Sequence, residues 1–316
     1  MSEDGQKGWC RLRILVTGGA GFIGSNIVDA YIEAGHDVAI IDNMSSGKEE
    51  NVNPKARLYK MDIRSPELDL VFAKEKPEVL NHHAAQIDVR KSVDDPVFDA
   101  NVNIVGMISL LQASAKHGVK KVIFASSGGA IYGEPQVLPA GEQTALDPLA
   151  PYGVAKVAGE FYLSCYRALH GLEYTALRYG NIYGPRQDPH GEAGVIAIFC
   201  ESMLSDREVK IFGTGEQLRD YVYVGDVVAA NLLALGKGDG ARVNIGTGKG
   251  TSVNELFAIL KEVLGYGKDA VNYPPRHGEL EKTYLDDSHV FEVLGWKAQV
   301  GIERGLEQTA AFFRNR

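Results

Sequence analysis

Apolar and polar positions along the chain switch repeatedly between short continuous runs and helical spacing. Leu12 to Val16 is an apolar run with β-branched Ile14 and Val16, and predicts a strand. Ile23 to Ile32 places apolar residues at helical intervals and predicts a helix. Val38 to Ile41 predicts a second strand ending at Asp42, followed by a polar loop, Asn43 to Pro54. Arg57 to Met61 alternates and predicts a third strand. Ser65 to Lys76 predicts a helix capped by Ser65 with Pro66 at its first position, and Glu78 to Leu80 a short fourth strand. Asp95 to His117 predicts a long helix with Ala100, Ile104, Met107, Leu110 and Leu111 on its apolar face, ended by Gly118. Val119 to Ala125 predicts a fifth strand, Tyr152 to His170 a helix and Tyr174 to Arg178 a sixth strand, with a Pro- and Gly-rich loop, Tyr132 to Pro151, in between. This alternation is the pattern of a doubly wound parallel α/β sheet.

After Tyr179 the texture changes. Gly180 to Gly191 is a long loop of turn formers, a length that in compact domains usually serves function. A helix (Val195 to Leu204), a short strand (Val209 to Phe212), two further α/β pieces (Val224 to Lys237, Ala241 to Leu264) and an amphipathic helix from about Ile302 complete the pattern.

The first strand and helix are joined by Thr17-Gly18-Gly19-Ala20-Gly21-Phe22-Ile23-Gly24. Its glycines fit G-x-G-x-x-G from Gly19 or G-x-x-G-x-x-G from Gly18. In either reading they give a tight turn, close approach of backbone to a pyrophosphate, and close packing of helix on strand. The helix N-terminus then faces the phosphates. Asp42 stands 18 residues after Gly24, where an acid binds the adenosine ribose hydroxyls; Asn43 and Met44 follow in place of an arginine, which favours NAD over NADP.

Composition removes alternatives. At 316 residues the chain suggests two domains or one large α/β unit. The formal charge of −8 is spread, and no basic block argues for nucleic acid. No run of 18 apolar residues suggests a membrane span, and Met1 to Gly8 lacks the apolar core of a signal peptide. Cys10, Cys165 and Cys200 have no metal spacing and read as reduced cytoplasmic thiols. His82 and His83 diverge as neighbours and have no spaced third ligand, so no metal is expected; one histidine beside the cofactor, or simply packed, is the reading.

Tyr152 and Lys156 are four apart, on one helix face. A lysine ammonium and an oxidised nicotinamide both favour the phenolate, which makes the tyrosine a base. Ser126 and Ser127 follow the fifth strand at the carboxyl end of the sheet, where chemistry collects in such folds. Ser127 is favoured as the group that holds a substrate hydroxyl.

These pieces, taken with Asp62-Ile63, His82 to Gln86, Asn103, Arg178 to Gln187, Arg219-Asp220-Tyr221 and Arg276 to Glu279, cover nearly the whole chain. Together they resemble the extended short-chain dehydrogenase/reductase family, and within it the UDP-glucose 4-epimerases. The resemblance implies a Rossmann-like NAD-binding unit (1–180, with about 222–247) and a smaller C-terminal unit for the nucleotide sugar (181–221 and 248–316). It assigns Gly18, Gly21, Phe22, Ile23, Asp42, Asn43, Asp62, Ile63, Ala84, Gln86, Asn103, Tyr152, Lys156 and Tyr179 to NAD. Ser127, Tyr152, Asn181, Val195, Ile196, Phe212, Arg219, Arg276 and Thr283 fall to the UDP-sugar, with Ser127, Tyr152 and Lys156 catalytic. It further implies a cytoplasmic homodimer in galactose metabolism.

Two features depart from the commonest pattern. Ser127 precedes Tyr132 by five residues where four is usual, and Gly180 replaces a large side chain near the sugar. A dehydratase would carry an acid pair where this chain has Gly128-Gly129. A UDP-glucuronate epimerase or decarboxylase stays open through Arg186. A non-catalytic NAD-sensing module would lack Tyr152 or Lys156. Thr283, at the place of a family side chain that gates the sugar pocket, is small and implies room for 2-acetamido sugars.

Overall fold

The computed structural model describes residues 11–190, 194–275 and 280–316. In chain order the first elements are β1 (Arg13–Thr17), α1 (Phe22–Glu33), β2 (Asp37–Asp42), β3 (Arg57–Lys60), α2 (Leu68–Glu75) and β4 (Val79–His82). Then come α3 (Val89–Asp94), α4 (Pro96–Ala100), α5 (Gly106–His117), β5 (Lys121–Ser127), α6 (Gly128–Ile131), α7 (Pro151–His170) and β6 (Glu173–Tyr179). The later part holds β7 (Asn181–Tyr183), α8 (Val195–Leu204), β8 (Lys210–Phe212), β9 (Leu218–Arg219), β10 (Tyr221–Tyr223), α9 (Val224–Ala234) and β11 (Ala241–Ile245). It ends with β12 (Thr251–Ser252), α10 (Val253–Leu264), β13 (Val271–Tyr273), β14 (Lys282–Thr283), α11 (Ser288–Leu294) and α12 (Ile302–Arg314).

Seven parallel strands form the main sheet in the order β11-β6-β5-β4-β1-β2-β3. Its inner strands are buried on both faces, which is why they read as continuous apolar runs rather than alternations. One core lies between the sheet and α1, α9 and α11; the other lies under α2, α5 and α7. A third core gathers Phe199, Cys200 and Met203 of α8, Leu256 and Leu260 of α10 and Leu306 and Ala310 of α12. The order reverses between β1 and β4, so the crevice at their carboxyl ends lies at a topological switch point.

Three expected elements differ. The helix expected from Ser65 begins at Leu68, because residues 62–67 are spent on turns: Ser65 N–H bonds Asp62 O, and Ser65 Oγ takes the Glu67 N–H at 3.2 Å. The long helix expected from Asp95 holds its course but opens into a π-turn at Asn101–Val105, a form that recurs at functional sites. It is preceded by α3, whose N-terminus Asp88 caps by accepting the Lys91 N–H. The fifth strand runs two residues further than its apolar stretch and carries both serines at its end.

Candidate active site

The glycine turn is built by close approach. Gly18 has φ +71, and a Cβ there would stand 2.7 Å from the Ala84 nitrogen. At Gly24 a Cβ would stand 2.2 Å from the Gly18 carbonyl oxygen. Helix α1 starts with an extended Gly21 and no side-chain cap, which leaves the first-turn N–H groups of Phe22 and Ile23 for a ligand. Asp42 ends β2 beside this turn, accepting the Ala20 N–H at 3.0 Å and the Met44 N–H at 2.9 Å. Asn43 donates to Asp62, and Arg64 holds the Asp62 carboxyl down to about 2. Ile63 is buried against Gly106.

On the other side of β1, the Ala84 N–H reaches Thr17 Oγ1 at 3.2 Å. Asn103, inside the π-turn, exchanges hydrogen bonds with the Gln86 backbone at 2.9 Å. Both amide side chains donate to Asp99, a buried carboxylate. His82 bonds Thr17 and His83 bonds Tyr179, and burial pushes both imidazoles down to about 3. They are packed, neutral histidines, and among the described residues no three metal-ligating side chains gather. Asn231 donates to the Tyr179 hydroxyl at 2.8 Å, and the same hydroxyl pairs with His83 Nε2 at 3.0 Å. His83 Nδ1 is a buried ring nitrogen without a hydrogen-bond partner among the described residues. A glycine cradle that tolerates no Cβ, an acid at the end of β2 and an unpartnered buried ring nitrogen at His83 fit a dinucleotide.

Tyr152 lies in the first turn of α7, with its phenol beside Ser127, whose hydroxyl favours the phenolate. Lys156 Nζ stands 5.5 Å from the Tyr152 ring centre and donates to the Ala125 carbonyl at 2.8 Å. Ser126 is turned away, its hydroxyl donating to Glu160 at 2.6 Å. Burial pushes the Tyr152 phenol upward; the Ser127 hydroxyl opposes this and the charge of Asp99 adds to it. Burial brings the Lys156 ammonium down to about 8, with Asp99 opposing. The expected lowering rests on Lys156 together with the oxidised nicotinamide; in the protein alone the ammonium donates to Ala125 and burial dominates the phenol.

The expected sugar side is more scattered. Asn181 is exposed, its Oδ1 3.6 Å from where a Cβ on Gly129 would lie. Ile196 is packed in the third core, so it offers a ligand its backbone at the start of α8, beside half-buried Val195. Phe212 faces Tyr273 at 5.9 Å between ring centres. Arg219 donates to the Leu218 carbonyl, and Thr283, buried on β14, is its register partner. Arg276 lies outside the described residues. Arg186, the carboxylate reader of the glucuronate alternative, is held by Asp29 of α1 at 2.7 Å. A Cβ on Gly128 would stand 2.5 Å from Leu285, so an acid there would displace that side chain. Gly180 is accounted for by backbone packing, since a Cβ would meet the Asp220 carbonyl at 2.8 Å. Asp220 itself is buried and accepts from Thr247 and from the Leu285 N–H, which pins the segment after β14 to β9 and β10.

Asp99, Glu160 and Asn231 belong to this site and escaped the motif reading. Their signal was positional: Glu160 repeats the four-residue step from Tyr152 and Lys156, and Asp99 precedes Asn103 by one turn.

A crevice that fits a dinucleotide, with a tyrosine-serine-lysine cluster at its edge, defines an oxidoreductase-type α/β enzyme. Comparison narrows the class. The NAD dependent epimerase/dehydratase family matches residues 14–246, and the chain belongs to this family. A putative UDP-glucose 4-epimerase of Methanocaldococcus jannaschii is 50% identical over 302 residues, covering 96% of this chain and 98% of the relative. The crystal structure of a UDP-glucose 4-epimerase with UDP-glucose from Thermotoga maritima superposes with a TM-score of 0.94 at 54% identity, covering 96% of this chain and 98% of that one. That of the Thermus thermophilus UDP-glucose 4-epimerase in complex with NAD gives 0.91 at 44%, covering 95% and 98%.

Proposed function

We propose that this chain is an NAD-dependent 4-epimerase of UDP-hexoses, interconverting UDP-glucose and UDP-galactose and accepting their 2-acetamido counterparts. The observation that carries the reading is the cluster of Tyr152, Ser127 and Lys156 at the end of β5, in a chain about half identical to UDP-glucose 4-epimerases over nearly its full length. Bound NAD supplies the hydride acceptor and donor at C4 of the sugar and is regenerated in each cycle. Ser127 holds the 4-hydroxyl, Tyr152 as phenolate removes its proton, and Lys156 keeps positive charge beneath the site. The flat 4-keto sugar rotates and returns its other face, and Tyr152 gives the proton back. Asn181, Val195, Ile196, Phe212, Arg219, Arg276 and Thr283 bind the UDP-sugar, the arginines through the diphosphate. Residues 1–180 with about 222–247 serve NAD; 181–221 and 248–316 serve the nucleotide sugar. The glucuronate alternative loses its main support in the Arg186–Asp29 pair. Incubation with a panel of UDP-sugars, without added reductant, tests the reading. Interconversion of C4 epimers is expected, and its absence would refute the activity.

Asp42→Ala should weaken NAD binding by about 1–3 kcal/mol, through loss of charge-assisted bonds to ribose hydroxyls. Titration of the apo protein with NAD measures this. The thermal midpoint is followed alongside, because the same carboxylate holds Ala20 and Met44. Unchanged NAD affinity would take Asp42 out of the site.

A homodimer is part of the proposal. Val97 and Val105 flanking the π-turn, with Val154 and Phe161 of α7, are 70%, 48%, 50% and 61% exposed, an apolar surface suited to a second copy. Sedimentation should give twice the chain mass, and a monomer at micromolar concentration would rule the dimer out. Among the described residues no helix is long and apolar enough to cross a membrane. Free thiols at Cys165 and Cys200 suit the reducing cytoplasm.

A further inference from the structure

Helix α7 grips three successive residues at the end of β5. Tyr152 stands beside Ser127, Lys156 donates to Ala125 O at 2.8 Å, and Glu160 accepts from Ser126 Oγ at 2.6 Å. The three helix residues are one turn apart, so their contacts run along one face. The third grip is the most heavily built. Glu160, 1% exposed, also accepts Arg178 Nε at 2.9 Å and Nη2 at 2.7 Å, and forms an ion pair, without a hydrogen bond, to Arg242 Nε at 3.2 Å. Arg178, 3% exposed, gives Nη1 to the Tyr132 hydroxyl at 2.8 Å, and that hydroxyl donates to Asn244 Oδ1 at 2.8 Å. Asn244 reaches the carbonyls of Ala140 and Asp286 at 2.9 and 3.2 Å, the latter just beyond Leu285, which lies against Gly128.

Burying such an ion pair is a poor way to gain stability, because desolvation offsets the attraction. What it supplies is fixed geometry. Apolar packing of α7 on β5 tolerates a small slide, whereas a bidentate pair joined to a short hydroxyl bond does not. We infer that Glu160, locked by Arg178, is a positioning residue that holds Ser126, and with it the adjoining Ser127, in register with Tyr152. The inference rests on the catalytic reading above, but it concerns residues that touch neither sugar nor cofactor.

Ser126→Ala cuts the link at its narrowest point. Measured on holoenzyme with UDP-glucose, kcat should fall about tenfold with KM unchanged, since small misplacements near reacting groups are costly. Tyr152 faces Lys156 and Asp99 as its charged neighbours, and the Ser127 hydroxyl favours its phenolate. Loosening that contact should move the acid limb of the kcat–pH profile to higher pH. Ser126→Thr, which keeps the hydroxyl, should restore most of both. Glu160→Gln should act in the same direction as Ser126→Ala. Wild-type kcat and acid limb in Ser126→Ala would overturn the inference, as would a loss that leaves the acid limb unmoved or that Ser126→Thr does not repair. NMR titration of ring-labelled Tyr152 in wild type and Ser126→Ala reads the same register without turnover. A wild-type enzyme inactive on every UDP-sugar would therefore sink the function and still leave the clamp testable: an upward-shifted phenol in Ser126→Ala supports it, an unshifted one overturns it.

Discussion

Replacing Tyr152 with phenylalanine should reduce UDP-glucose turnover by about 10² or more, while UDP-sugar and NAD still bind. The substitution keeps the ring, and so the packing at the start of α7, and removes the phenol oxygen beside Ser127. A hundredfold loss corresponds to about 2.7 kcal/mol of transition-state stabilisation. The size follows from what surrounds the oxygen. Burial and the Asp99 charge both disfavour the phenolate in the protein alone, so the base depends on the Ser127 hydroxyl and on the positive nicotinamide of NAD. Lys156 contributes by occupying Ala125 and by its charge, being itself brought down to about 8. Steady-state rates on UDP-glucose, with ligand affinity measured separately by calorimetry, separate the outcomes. Near-normal turnover in the variant would show that another group moves the proton. Loss of binding together with turnover would make Tyr152 a ligand rather than the base.

How far such a site is legible in a sequence depends on the range of the forces that build it. The turn at Gly18 to Gly24 was legible because its constraints are local: a positive φ at Gly18 and a helix packed on the Gly18 carbonyl. Asp42 was legible as the end of an apolar strand, and Tyr152 with Lys156 as one turn of a helix. The choice between Ser126 and Ser127 needed the fold, since it turns on Glu160, 34 residues away and buried against Arg178. The pairing of Arg186 with Asp29 needed the fold for the same reason. A loop arginine can reach a substrate carboxylate or Asp29, 157 residues earlier, and only the packing of α1 decides. The sixth strand and β11 share the sheet edge by parallel pairing, a contact with no short-range signature. The start of α2 was misread because Ser65 and Pro66 are good first-turn residues that tertiary turns had already claimed.

Thr283→Tyr should cut activity on UDP-GlcNAc and UDP-GalNAc by about 5- to 150-fold, while largely sparing UDP-glucose and UDP-galactose. The argument begins with register. Lys282 and Thr283 pair in parallel with Leu218 and Arg219, and Leu285 continues as a bridge to Ala140, so the segment is extended. Residues two apart in an extended segment share a side. Leu285 lies against Gly128, the residue after Ser127, so Thr283 belongs to the side that faces the end of β5. Tyr284 falls on the other side, where a Cβ on Gly250 would stand 3.0 Å from its ring. On the function proposed above, the gate is then the small Thr283 rather than the large Tyr284. Thr283 is only 4% exposed, and its register partner is Arg219, a proposed diphosphate ligand. A tyrosine has no room to turn outward there and must project toward the sugar. Forcing a ring and an acetamido group into one volume costs about 1–3 kcal/mol or more, as in overpacked cores. A plain 2-hydroxyl leaves that volume free. The decisive measurement is kcat/KM of wild type and Thr283→Tyr on all four sugars. Wild-type inactivity on the acetylated pair would sink the idea, because no room would then exist to be filled. Equal loss on both classes would mean that the tyrosine merely damages β14 and its pairing with β9.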